Sequence, residues 1–261
     1  MVTASFSIHN LEFFLLILVR VSTMLYAAPF FNTKGVPSKA KIGLAFFLSL
    51  ILVADNSYYD LQYNTVFGYT MLIIKEAITG LLLGFSANVA MMVLSLAGQI
   101  IDVEIGFSMV QIFDPMTNQQ TSIFGTYYNY LVMLVMLLSN MHYFVITALM
   151  DSFQLIPLGG IQIHPDLMLD SAVQMLTQYF ILGFRVALPV FSASLLLNIV
   201  LGILAKTAPQ MNMFVVGLQL KIVVGLVVVF VTVVCIPNIA DMLFDSMQSM
   251  VKWVMKAISA G

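Results

Sequence analysis

VFGYTMLIIKEAITGLLLGFSANVAMMVLSLAGQII, residues 66–101, contains two ions, Lys75 and Glu76, in a run far longer than the roughly 20 apolar residues a helix needs to cross a bilayer. The same character extends in both directions. Leu11–Phe30, Ile42–Ala54, Ile123–Met150, Ala172–Ala205 and Met213–Ala240 are the other apolar stretches, and they bring the expected helical segments to about six. Across its 261 residues the chain is 61% hydrophobic and 8% charged, with a mean hydropathy of +1.02. A soluble domain carries about 25% charged residues, so there is too little polar side chain here to cover a surface in water. The fold class is an all-α integral membrane protein. A formal net charge of −2 without basic runs gives nucleic acid nothing to bind, and the lone Cys235 can close no internal disulfide or multi-thiolate metal site.

Residues 66–101 exceed one crossing, which predicts a bend or a broken pair of helices. Within them Gly80 and Gly84 have the four-residue spacing that lets helices approach closely. Ile42–Ala54 is short for a crossing and reads as a half-span or a hairpin arm. Arg20 lies in the middle of Leu11–Phe30 with no basic start before it, unlike a removable signal peptide. Pro189 predicts a kink or a break, and Ala205–Phe214 reads as a tight turn. From residue 241 to 261, Met242, Phe244, Met247, Met250, Val251, Val254 and Ile258 recur at helical spacing, predicting an amphipathic C-terminal helix. Lys34, Lys39, Lys41 and Lys206 mark cytoplasmic loops, giving about six crossings with an external N-terminus.

Arg20, Lys75, Glu76, Arg185 and Lys221 all fall inside apolar runs. Together they would cost on the order of 12 to 17 kcal/mol if every one faced lipid. Either they pair within the protein, or they point into a wet cavity, or partner subunits cover them. Lys75 and Glu76 are sequence neighbours and point about 100° apart on a helix, so they are poorly placed to pair with each other.

The segment Asp102–Met116, DVEIGFSMVQIFDPM, is too short to span and too apolar for a solvated loop. Gly106 allows the backbone to turn, and Pro115 ends any helix. Its apolar side chains, Phe107, Met109, Val110, Ile112, Phe113 and Met116 among them, suit two roles. They can close a wide pore by dewetting a constriction, or pack as a re-entrant loop on their own helices. No sequence pattern for a nucleophile, a metal or a phosphate loop is present, so neither catalysis nor a cofactor is expected.

Several blocks taken together resemble the FliR family of flagellar export proteins and its virulence type III secretion counterparts. They are RVSTMLYAAPFF (20–31), VPSKAKIGLA (36–45), AGQIIDVEIGFSMVQIFDP (97–115), NMHYFVITALMDSFQLIPLGG (140–160), RVALPVF (185–191) and LLLNIVLGILAKTAPQMNMFVVGLQLKIVVG (195–225). They run over nearly the whole chain in the family's order, with Gln219 standing where many members carry Pro. The resemblance implies a single export gate domain over residues 1–261 and a bacterial inner-membrane location at the flagellum basal body. It implies helical hairpins assembled with FliP and FliQ, neighbours FlhB and FlhA, and unfolded flagellar subunits as cargo. It makes Gly106–Met116 a channel plug and Arg20, Lys75, Glu76, Arg185 and Lys221 assembly contacts. An injectisome export gate subunit and a small-solute transporter using Lys75, Glu76 and Arg185 are the alternatives.

Overall fold

The computed structural model describes residues 8–32, 35–55, 63, 65–107, 122–208, 210 and 212–259. The helices are α1 (Ile8–Ala27), α2 (Ser38–Asp55), α3 (Val66–Ile105), α4 (Ile123–Leu138), α5 (Tyr143–Leu155), α6 (Pro165–Thr207), α7 (Met213–Thr232) and α8 (Ile236–Ile258). One turn of 3₁₀ helix, Val233–Cys235, joins the last two. Among the described residues there is no strand, as the all-α expectation requires.

By length and composition, α1, α3, α6 and the run from α7 into α8 can each cross a membrane. The pair α4 and α5, bent by 71°, adds a fifth if it counts as one broken span. Of the six apolar stretches, α2 drops out, since Lys39, Lys41 and Asp55 fall within its 18 residues.

Three local expectations are corrected. Residues 66–101 are not a broken pair of helices but part of one unbroken helix of 40 residues. Pro189 does not end α6, which continues for 43 residues through it; the ring removes one N–H donor while the turns on either side hold. Ile123–Met150 is instead divided at residues 139–142, where Asn140 takes a left-handed φ of 58°, a conformation that Asn tolerates. Gln219 lies inside the uninterrupted α7.

The chain divides into two compact units. The first comprises residues 1–90, 140–176 and 245–261. Its core is Leu16, Ile17, Val21 and Met24 of α1, Leu83 and Ala87 of α3, Leu149 of α5, and Met247 and Met250 of α8. Phe14 of α1 meets Phe46 of α2 edge to face at 5.5 Å. Gly80 and Gly84 give the close approach their spacing foretells. A Cβ on Gly80 would strike the Arg20 carbonyl and Thr23 hydroxyl, and one on Gly84 would sit 2.8 Å from Ala27 Cβ. The backbone after α5 joins the end of α8, with the Gln162 N–H donating to the Ile258 carbonyl (3.2 Å) and His164 N–H to Ala257 (3.1 Å).

The second unit holds residues 91–139 and 177–244. Its core includes Val93, Leu94, Ala97, Ile101 and Ile105 of α3 with Tyr128, Val132 and Met136 of α4. The Tyr128 and Thr232 hydroxyls are hydrogen bonded at 3.0 Å. In α8 the buried Ile236, Ala240, Leu243, Met247, Met250, Val254 and Ile258 recur every three or four positions, while Asp241, Asp245, Lys252 and Lys256 stay exposed. The helix begins five residues before the expected Asp241. Pro237 in its first turn needs no N–H partner there, which suits a new helix start and explains the 3₁₀ break before it.

Candidate functional site

The intramembrane charges meet different fates. In the first unit Arg20 is fully buried and Glu76 is 1% exposed. The guanidinium donates to the carboxylate in a two-pronged contact, Nε to Oε2 at 2.5 Å and Nη2 to Oε1 at 3.0 Å. Nη1 then donates to the carbonyls of Ser152 (3.2 Å) and Ile156 (2.9 Å), capping the C-terminal end of α5. Glu76 Oε1 accepts the Gly159 N–H at 2.7 Å, and the guanidinium carbon lies 4.3 Å over the Phe153 ring. The two ions thereby fasten α1, α3 and the turn after α5 into one satisfied network. Lys75 points away, exposed, and donates to the Gly159 carbonyl at 3.2 Å. Glu12 accepts a hydrogen bond from the Tyr63 hydroxyl, a bond that pushes the Tyr63 phenol up from its ordinary value.

The second unit leaves its charges nearer the surface. Arg185 is exposed, with Nη1 3.7 Å from the Met242 sulfur. Lys221, half-buried, lines a small cleft of about 10 Å³ with Glu104, Ser194 and Val224. The Ser194 hydroxyl donates to Glu104 Oε2 at 2.7 Å.

Of the expected plug, the structure describes Gly106 and Phe107; Met109, Val110, Ile112, Phe113 and Met116 lie outside the described residues. Gly106 has φ +97°, in the left-handed region that favours glycine. Its N–H returns to the Asp102 carbonyl at 3.1 Å, closing α3. The Phe107 ring packs edge to face on Phe124, the second residue of α4, at 5.8 Å. Asp102 itself is 4% exposed. Its carboxylate accepts the N–H groups of Ile123 (2.9 Å) and Phe124 (3.2 Å), while the Ser122 hydroxyl accepts the Gly125 N–H at 2.8 Å. One turn earlier, a Cβ on Gly98 would run into the backbone of Gly125.

Sequence reasoning assigned no role to Asp102, Gly98 or Ser194. A signal for Asp102 was present: a carboxylate in the last turn of a helix opposes the macrodipole, so it needs a partner elsewhere. Ser122 three residues before a glycine N–H is an ordinary N-cap pattern.

Long apolar helices, internally paired charges and tightly apposed helices define a multi-helix integral membrane protein. Residues 11–247 match the model of the bacterial export proteins, family 1, and the chain belongs to that family. It is similar to the flagellar biosynthetic protein FliR of Bacillus subtilis, 31% identical over 92% of this chain and 95% of that protein. The FliR proteins of Pectobacterium carotovorum (28%, covering 93% and 92%) and Escherichia coli K12 (29%, covering 80% and 79%) are similar in the same way.

Proposed function

We propose that this chain is a subunit of the flagellar export apparatus and forms part of a passive channel for unfolded flagellar proteins. In this role it sits in the bacterial inner membrane, at the base of the flagellum, assembled with FliP and FliQ and neighbouring FlhB and FlhA. Residues 1–261 act as one export gate domain.

The observation that carries the proposal is the length of exposed apolar helix. At about 1.5 Å per residue, the 43 residues of α6 extend ~65 Å, and ~50 Å separates Asp170 from Lys206 with Arg185 the one ion between. A hydrocarbon core of about 30 Å accommodates only ~39 Å of helix even at a 40° tilt. Yet in an apolar run of 18 residues within α6 only 22% are buried within the chain. Lipid cannot cover the remainder and water does not suit it, so other protein subunits are its natural cover.

Gly106, Phe107, Met109, Val110, Ile112, Phe113 and Met116 then seal the resting channel, with cargo driven through by other components. A small-solute transporter is the poorer fit, because Glu76 is committed to Arg20 and Gly159 while Arg185 is exposed against Met242. Two experiments test the proposal. Purification from cells producing all the gate proteins should recover this chain with FliP and FliQ, and recovery of the chain alone would contradict it. Replacing residues 108–116 by a Gly-Ser linker should raise ion leakage through the assembled gate, and unchanged leakage would remove the plug.

A further inference from the structure

We propose that a cleft at the end of the α1–α3 seam receives an amide or hydroxyl side chain carried by an apolar helix of a second gate subunit, with Asn32 and Asn88 as the pair that hydrogen-bonds it. The inference rests on the assembly proposed above and gives it a place on this chain. Every residue that lines the cleft belongs to the first unit.

Gly80, Gly84 and Asn88 recur at four-residue intervals and so share one face of α3. α1 lies tightly against the two glycines, with the Arg20 carbonyl at Gly80 and Met24 and Ala27 at Gly84. One turn further on, α1 has ended at Ala27, and the chain leaves it through Phe30, a bulky residue held at a left-handed φ of 67°. The Asn32 N–H closes that turn on the Ala28 carbonyl at 3.2 Å. The seam opens there into a cleft of about 340 Å³ lined by Asn32 and Asn88, with Tyr26, Leu81, Leu82 and Phe85 as largely apolar walls. Asn88 sits near the middle of the uncharged run between Glu76 and Asp102. On that run the hydroxyls of Thr79 and Ser86 donate to carbonyls of their own helix, Lys75 at 2.9 Å and Leu83 at 2.8 Å. Among the described residues, neither Asn32 nor Asn88 has a side-chain hydrogen-bond partner. An amide left unpaired in apolar surroundings is costly, so the two require a partner from outside the chain. A lipid tail offers none, and an anionic headgroup finds no cation among the lining residues. A helix satisfies its own backbone, which leaves a polar side chain on an apolar helix as the group that meets both the amides and the walls around them.

The test purifies the complete gate from cells, reading recovery of FliP and FliQ with this chain, and measures the thermal stability of the isolated chain in detergent. Asn88→Leu should leave the isolated chain as stable as its parent, because the amide bonds nothing among the described residues, and should lower recovery of the gate about three- to tenfold. Asn88→Gln, which keeps the amide, should restore most of that recovery. A photoreactive benzoylphenylalanine in place of Phe85 should crosslink to FliP or FliQ in the assembled gate. If Asn88→Leu destabilises the isolated chain, or assembles as well as the parent, the inference is overturned while the assembly stands. Recovery as low for Asn88→Gln as for Asn88→Leu, or labelling of lipid alone by the probe at Phe85, overturns it in the same way. If the parent chain is itself recovered without FliP and FliQ, the assembly reading fails and the inference falls with it.

Discussion

α3 and α6 have similar lengths and similar apolar character, yet in an apolar run of 18 residues within each, 56% are buried within the chain for α3 against 22% for α6. Their charges differ in the same sense. Glu76 of α3 is enclosed, paired with Arg20 and bonded to Gly159, whereas Arg185 of α6 is exposed, with its guanidinium against the Met242 sulfur. An ion in an apolar segment thus has two solutions in one molecule. Where the chain supplies every partner, the charge helps to fix its own fold; where it supplies few, the proposed assembly has other subunits supply the rest.

The contrast breaks most sharply at the buried pair. Glu76→Ala leaves the Arg20 guanidinium unpaired in a dry core and should cost about 3–5 kcal/mol, seen as a large loss of thermal stability of the purified chain in detergent. Replacing both ions together, as Arg20→Met with Glu76→Leu, should restore most of that loss, since a packed apolar pair needs no compensating charge. A double variant as unstable as Glu76→Ala would show that the carbonyl caps, not the ion pair, dominate the network.

Helix apposition gives the next effect. Gly80→Val forces a branched side chain against the Arg20 carbonyl and Thr23, and should destabilise by about 1–3 kcal/mol. Gly202→Ala in α6 has nothing within 4 Å of the new Cβ and should instead stabilise the helix by roughly 0.5–1 kcal/mol. Equal losses at both sites would erase the distinction between the two helices.

Arg185→Gln should change the stability of the isolated chain by no more than about 0.5 kcal/mol, while lowering its recovery with FliP and FliQ. The smallest effect concerns pH. The Glu12 bond raises the Tyr63 phenol above its ordinary value of 10.0, so its contribution is complete below that value and is lost as pH rises through the higher folded value. Tyr63→Phe should remove that alkaline component from the pH dependence of thermal stability.

How much was legible follows from the range of each interaction. The apolar helices, the Gly80 and Gly84 contact and the amphipathic face of α8 depend on local composition and spacing, and one sequence contains them. The full extent of α3 is not legible, because length in excess of a bilayer suggests a bend or a broken pair, whereas a helix packed against protein has no such limit. The division at residues 139–142 depends on one left-handed Asn140 within an apolar run that periodicity reads as continuous. Arg20 and Glu76 were recognised as misplaced ions, but their pairing spans 56 positions, and no local pattern encodes it. Asp102 was passed over because its partners are backbone N–H groups, which leave no trace in side-chain identity.

In the proposed assembly the exposed apolar faces of α6 and α7 are covered by protein and not by lipid. Leu196 of α6 is 64% exposed and Phe230 of α7 is 79% exposed. Each can be replaced by cysteine in a Cys235→Ser background and carry a fluorophore, with collisional quenching by a lipid-soluble nitroxide compared between the isolated chain and the assembled gate. Cover by partner subunits requires strong quenching in the isolated chain and near-complete protection of both positions in the gate; equal quenching in the two states would rule it out.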